Sequence, residues 1–386
     1  MSRDINTLWA LFAGSLLLVM NVGVVGVVEG LTRRRMVATG AARHLGGFLG
    51  AVIGVVGCGY ALGYGPGNEW FGQEGFFLSG VDFSPEAAGD SATAAARIFL
   101  LVGQSAFFVS LVMAALAERT TFAAHIVCGL IAGGLLVPST QRALDPEGIL
   151  GSISVNDSSF VDSSAASIFA MAGWLGLLGA MVIGPRLGWI GANGNVRVIP
   201  GKSPWIVGAG ALLFLAGSAG LSSIPDAQWN DRVSNAAVAL LLGATAGGCI
   251  AAAIGVRRHG RVTVSGLAGG LLAGVVATSG ALLHVGPTGA LVLGAIGGGV
   301  AQVAAIALER WRIDDPAGAV SAFGAAGVVG SLGARAFDLD QLLAQVIGQL
   351  IIAAWSIVVA GLVFGTLRAV RVLRVSRDVE MVGLDR

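Results

Sequence analysis

Of 386 residues, 12% are charged and 55% hydrophobic, with a mean hydropathy of +0.82; a soluble domain carries about 25% charge, so a water-soluble globular fold is excluded. The net charge of +1 is too small for a nucleic-acid surface or a polybasic lipid-binding face. The 61 glycines fit helices packed closely in a membrane rather than disorder, which requires a polar chain.

A bilayer-crossing helix needs about 20 apolar residues. Runs of that kind lie near 7–30, 45–64, 94–116, 120–138, 163–184, 204–225, 235–255, 263–284, 288–308, 316–334 and 341–367. They predict an all-α polytopic membrane protein with eleven transmembrane helices. The opening MSRDINT leads straight into the first run, which reads as a spanning helix rather than a cleaved signal. After the second run, Gly65-Pro66-Gly67-Asn68 predicts a sharp turn into a long outer loop, 65–93. A second outer loop covers 139–162.

The charges between the runs set the orientation. With the N-terminus outside and the C-terminus cytoplasmic, 18 of the 23 basic residues are cytoplasmic, among them Arg33, Arg34, Arg35, Arg119, Arg186, Arg257, Arg258, Arg310 and the tail arginines. That is the bias of the positive-inside rule, and dropping one helix would scramble it. Acidic residues such as Glu69, Glu74, Asp82, Glu86 and Asp90 gather outside. Eleven spans invite two antiparallel halves, spans 1–5 and 6–10, followed by a long last helix. The first span of each half carries Gly-x-x-Gly, at Gly23 and Gly26 and again at Gly217 and Gly220.

Cys58, Cys128 and Cys249 fall in separate apolar runs, without a CxxC or Cys/His cluster, and read as small apolar fillers. There is no nucleophile elbow, P-loop or metal-ligand spacing. Neither an enzyme nor a bound cofactor or metal is expected, and no nucleic acid.

Four local motifs resemble those of the Amt/Mep/Rh ammonium transporter family, in the family's order. Glu29-Gly30-Leu31-Thr32-Arg33-Arg34-Arg35 resembles Gly-Gly-x-x-Arg-Arg-Lys, and Ala117-Glu118-Arg119-Thr120-Thr121-Phe122 resembles Ala-Glu-Arg-x-x-Phe. Asp314-Asp315-Pro316 with Gly324, Gly327 and Gly330 resembles the entry into the tenth helix. Leu373-Arg374-Val375-Ser376 through Gly383-Leu384-Asp385 resembles the segment after the eleventh. The resemblance runs from the first helix to the last residue. It implies residues 1–386 as one ammonium-transporter-like transmembrane domain with 367–386 a cytoplasmic tail. It also implies a homotrimer and ammonium or ammonia as the substrate, with a PII-type regulator as a further cytoplasmic partner.

The pore positions depart from the family. Two facing histidines on the fifth and tenth helices share hydrogen bonds in its narrow channel; here those positions are Ser167 and Phe323. Gln104 and Leu221 stand at the two gating phenylalanines. Ser218 and Ser222 replace the mouth tryptophan and the asparagine after the gate. The outer aromatic falls near Leu144. The outer vestibule keeps Asp157 and Asp162 around Ser159, which occupies the family's acidic position. Trp174, Trp189 and Trp205 do not restore these motifs. His44, His125, His259 and His284 read as interfacial or loop histidines, outside the path.

Each polar position has a plainer reading. Gln104 is either a path group or an interhelical hydrogen-bond partner; Ser167 either lines a path or bonds back to its own helix. Phe323 either closes the channel or is simply core. Glu29 is expected to pair with Arg33 to Arg35, and Asp314 and Asp315 to cap the tenth helix. Two functions follow: passive ammonium or ammonia transport through an altered pore, or a non-conducting ammonium sensor or regulatory subunit of the same fold.

Overall fold

Because lipid offers no hydrogen bonds, each apolar run satisfies its own backbone as a helix. The computed structural model describes residues 2–145, 148–155, 158–160, 165–223, 229, 232–282, 285–333 and 339–383. Among them, nine helices are long and apolar enough to cross a membrane: α1 (Ser2–Leu31), α2 (Arg34–Tyr64), α3 (Ala94–Ala114), α4 (Phe122–Leu144), α5 (Ala165–Ile183), α6 (Pro204–Ser223), α7 (Val233–His259), α9 (Pro287–Arg310) and α11 (Asp340–Ala369). Two shorter apolar helices, α8 (Val264–Ser279) and α10 (Val320–Gly333), fill the remaining places. These match the eleven predicted runs one for one. A short helix, α12 (Arg377–Val382), ends the described tail, and a two-residue hairpin (Ser154–Val155 with Ser158–Ser159) lies in the second outer loop.

The packing repeats between the halves. The pairs α1–α3, α2–α4 and α3–α5 have counterparts in α6–α8, α7–α9 and α8–α10. The halves meet through α1 on α6 and α5 on α10, and α11 lies along α5. Glycine sets the first of these crossings. A Cβ on Gly23 would stand 2.4 Å from the Phe214 nitrogen, and one on Gly217 2.4 Å from the Leu16 oxygen. Gly30 meets Val207 and Gly220 meets Ala13, so α1 and α6 run antiparallel. The Gly-x-x-Gly motifs are therefore contact surfaces between backbones. Gly23→Val is expected to lower stability by about 1–3 kcal/mol, read as a lower unfolding midpoint in detergent. An unchanged midpoint would refute this close approach.

The family-like motifs converge at the predicted cytoplasmic end in a buried ionic network. Arg186 holds Asp314 through Nε at 2.9 Å and Nη2 at 3.0 Å, and its backbone N–H donates to the same carboxylate at 2.9 Å. Arg119, fully buried, donates to the carbonyl oxygens of Gly184, Ala115 and Asp314. Glu118, at a left-handed φ of 69°, accepts from Arg33 N at 2.8 Å and Arg33 Nε at 2.6 Å. The tail closes the network: Glu380 accepts from Leu187 N at 2.7 Å and Arg374 Nη2 at 2.8 Å.

Two expectations change here. Glu29 pairs with Lys202 at 3.7 Å, while Arg33 turns to Glu118. Asp315 alone caps α10, accepting from Ala319 N at 2.8 Å and Ser321 N at 3.1 Å, while Asp314 is the ion-pair partner. Burial raises the Asp315 carboxyl to about 6. Burial also pushes Asp314 up, but Arg186 and Arg119 outweigh it and hold that carboxyl below the usual range. His44 and His125 pack together: His125, near the start of α4 as expected, is 4% exposed, and the two rings meet edge to face at 5.8 Å between α2 and α4. His259 is exposed at the end of α7, as expected. His284 lies outside the described residues.

Candidate substrate path at the seam of the two halves

Helices α5 and α10 approach through bare backbone. A Cβ on Gly173 would fall 2.1 Å from the Gly324 Cα, and one on Gly327 2.6 Å from the Ala170 nitrogen. This closeness brings the side chains at the family's pore positions into the contact zone between the halves. Helix α10 begins with a wide π turn, Val320–Ala325, of the kind that re-aims side chains at functional positions.

Phe323 leaves that turn and enters an aromatic stack. Its ring lies against Phe169 of α5 at 6.1 Å and 21°, and against Phe214 of α6 at 5.8 Å and 23°. Phe107 of α3 meets Phe169 edge-on at 5.6 Å and Phe214 at 6.1 Å. All four rings are buried. They fill the junction of α3, α5, α6 and α10 with apolar surface.

Ser167 does not face Phe323 directly; the ring stacked on Phe323 belongs to Phe169, two residues further along α5. The Ser167 hydroxyl instead accepts from Gln349 Nε2 at 3.2 Å, and the same Nε2 donates to Ser331 Oγ at 2.8 Å. Ser331 lies eight residues beyond Phe323, about 12 Å along a helix. Gln349 comes from α11 and has an unpartnered Oε1. Ser167, Gln349 and Ser331 thus form a neutral serine–glutamine–serine network joining α5, α11 and α10.

The remaining predicted positions divide. Gln104, 1% exposed, accepts from Gln141 Nε2 of α4, a bond between helices. Ser218 donates back to Leu215 O and Ser222 to Ala219 O, each at 2.7 Å, within the 3-10 turn that ends α6. Their oxygens keep only acceptor capacity, and Leu221 beside them is 1% exposed. That turn packs against α1. Leu144 is buried at the end of α4, without an aromatic ring. Ser159 belongs to the outer hairpin through its backbone, while Asp157 and Asp162 lie outside the described residues.

Sequence reasoning missed Gln349, Ser331, Gln141 and the ring set of Phe107, Phe169 and Phe214. Gln345 and Gln349, four residues apart in an apolar run, were a usable signal, since polar groups inside a span face protein rather than lipid.

The Ammonium Transporter Family model matches residues 8–386. The chain is 33% identical to Ammonium transporter Amt1 of Haloferax mediterranei over 303 residues, 72% of this chain and 58% of that protein. It is 26% identical to Ammonium transporter Amt2 of Archaeoglobus fulgidus over 99% of this chain and 86% of that protein. Among solved structures, a "Sensor Amt Protein" superposes with a TM-score of 0.90 at 22% identity, covering 100% of this chain and 98% of the other. Mep2 of Saccharomyces cerevisiae does so at 0.82 and 20% identity, covering 97% and 89%.

Proposed function

As the chain belongs to the Ammonium Transporter Family, we propose that it moves ammonium or ammonia across the cytoplasmic membrane without ATP, through a path that the Phe323 ring gates. The observation that carries this is the whole-chain family match. Ser167, Gln104, Ser218, Leu221 and Ser222 are the path positions in this reading, with Asp157, Ser159 and Asp162 assigned to an outer vestibule by family resemblance alone. We place the N-terminus outside and the C-terminus in the cytoplasm, on the basic-residue bias. A single domain over 1–386, a homotrimer and a cytoplasmic PII-type regulator belong to the same reading, by family resemblance.

A second reading is a non-conducting ammonium sensor. The buried four-ring stack favours it, because an apolar plug without a proton-sharing group opposes a cation. Cellular uptake decides between the two. In cells stripped of their own ammonium uptake, the chain should restore growth at low ammonium, and Ser167→Leu, which narrows the path, should abolish it. Equal growth with and without the chain, alongside normal membrane insertion, would favour the sensor.

A further inference from the structure

Two outer cavities meet at the Trp70 side chain. One, of about 860 Å3, is polar, and Glu69, Trp70, Arg142, Asp145 and Ser152 are among its walls. The other, of about 490 Å3, is apolar, walled by Trp70, Phe71, Ala143, Leu150, Ile351 and Trp355 among others. Trp70 lines both; Ala143 follows Arg142 and Ile149 follows Gly148, so the same segments wall both spaces. Hydrogen bonds fix the turn that carries Trp70. Asn68 Oδ1 accepts from Trp70 N and Phe71 N at 2.9 Å, and Arg142 donates to Asn68 O at 3.0 Å and Gly65 O at 3.1 Å. The apolar space has no open donor, because the Ser139 and Thr140 hydroxyls donate back to Leu136 O of their own helix. It runs between α4 and α11, and the stretch of α11 from Asp340 to Trp355 is about 22 Å long. With Ile351 41% exposed on its rim, this groove opens towards lipid.

A molecule that fills both spaces has a polar head and an apolar tail. Its head meets one guanidinium and two carboxylates, and none of the three forms an ion pair with a described residue. Three N–H groups of Arg142 go to carbonyl oxygens, and the rest of the fork is open to an anion. Glu69 and Asp145 only accept, so they call for a head that also donates. A phosphate joined to a primary ammonium satisfies all three groups. A head with a phosphate alone sets its charge against an excess of carboxylate, and a quaternary ammonium has no N–H to give. We propose that the double cavity binds a phospholipid with a primary-amine headgroup. The phosphate lies at Arg142, the ammonium at Glu69 and Asp145, and one acyl chain in the groove between α4 and α11. On the orientation given above this is an outer-leaflet lipid, with Trp70 at the membrane–water boundary that tryptophan favours. The site is separate from the α5–α10 seam and stands whether or not the chain conducts.

Native mass spectrometry of the intact, delipidated protein in detergent tests it. The protein is titrated with phosphatidylethanolamine, phosphatidylcholine and phosphatidylglycerol carrying identical chains. The first phosphatidylethanolamine should bind about tenfold tighter than the first of either other lipid, the effect of a charge-assisted hydrogen bond. Glu69→Gln combined with Asp145→Asn keeps the shape but removes both charges, and should erase that preference. Ala143→Trp fills the groove and should weaken all three lipids by about tenfold or more. Glu69 and Asp145 are exposed, so the double variant remains informative if Ala143→Trp folds poorly. Equal affinity for the three lipids, the mark of an unselective annulus, overturns the proposal. So does tighter binding of phosphatidylglycerol or phosphatidylcholine, or a preference that survives the double variant. A folded Ala143→Trp protein that binds phosphatidylethanolamine as the wild type does overturns it as well.

Discussion

Phe323→Ala is expected to raise ammonia flux through reconstituted vesicles about tenfold over the wild type. The Phe323 ring is held by two near-parallel neighbours, Phe169 at 6.1 Å and Phe214 at 5.8 Å. Each such pair is worth about 0.5–1.5 kcal/mol beyond its buried area. Swinging the ring aside therefore costs about 1–3 kcal/mol, and 1.36 kcal/mol of barrier is a factor of ten in rate. Alanine removes that step while leaving a cavity, at a cost of about 3–5 kcal/mol in stability. The variant should thus conduct faster and unfold earlier. Flux unchanged in a variant that still inserts and folds would place the barrier elsewhere along the path.

Arg186→Ala is expected to cost about 3–5 kcal/mol of stability, since it leaves a buried carboxylate without its main partner. Arg186 is 6% exposed and Asp314 2%, and the pair joins the end of α5 to the entry of α10. Those two helices carry the seam, so the loss should appear both as a lower unfolding midpoint and as altered flux. Acid titration checks the same contact. Asp314 binds its proton less readily folded than unfolded, so its contribution is present above about 3.9 and lost as pH falls. Asp315 has the opposite sign: with its folded value raised to about 6, its contribution is full below about 3.9 and lost as pH rises through about 6. Asp315→Asn should remove that decline, and Arg186→Ala should flatten the acid-side loss. A midpoint unmoved by Arg186→Ala would show that the network is dispensable.

The helices were legible because lipid enforces a simple rule: every long apolar run became a helix, nine of them long enough to cross a membrane and two, α8 and α10, shorter. The inverted halves were legible from orientation, yet their contact surface was not. Gly23 and Gly217 stood out only as weak motifs, and their backbone contacts with α6 and α1 depend on the crossing itself. The local motifs pointed to Ser167 and Phe323, and both lie buried at or near the α5–α10 contact. The partner of Ser167 was not legible, because Gln349 lies 182 residues from Ser167 in sequence, and helix-to-helix partners of that range leave no local trace. Phe169 and Phe214 were hidden for another reason: a phenylalanine inside an apolar run has no pattern that separates a lipid-facing ring from a stacked one. The contact of His44 with His125 was not legible, because it depends on α2 and α4 packing together. Glu29 was assigned to the nearest arginines in sequence, whereas the fold carries Arg33 away to Glu118.

A four-ring stack that gates an ammonium path lets the wild-type protein conduct, whereas a permanent plug does not. Stopped-flow recording of internal pH after an ammonium pulse, in vesicles carrying the wild-type protein, separates the two. The internal pH change should be faster than in empty vesicles and slower than in vesicles with Phe323→Ala. A wild-type trace that overlays the empty-vesicle trace, from protein that still binds ammonium, would contradict the gate.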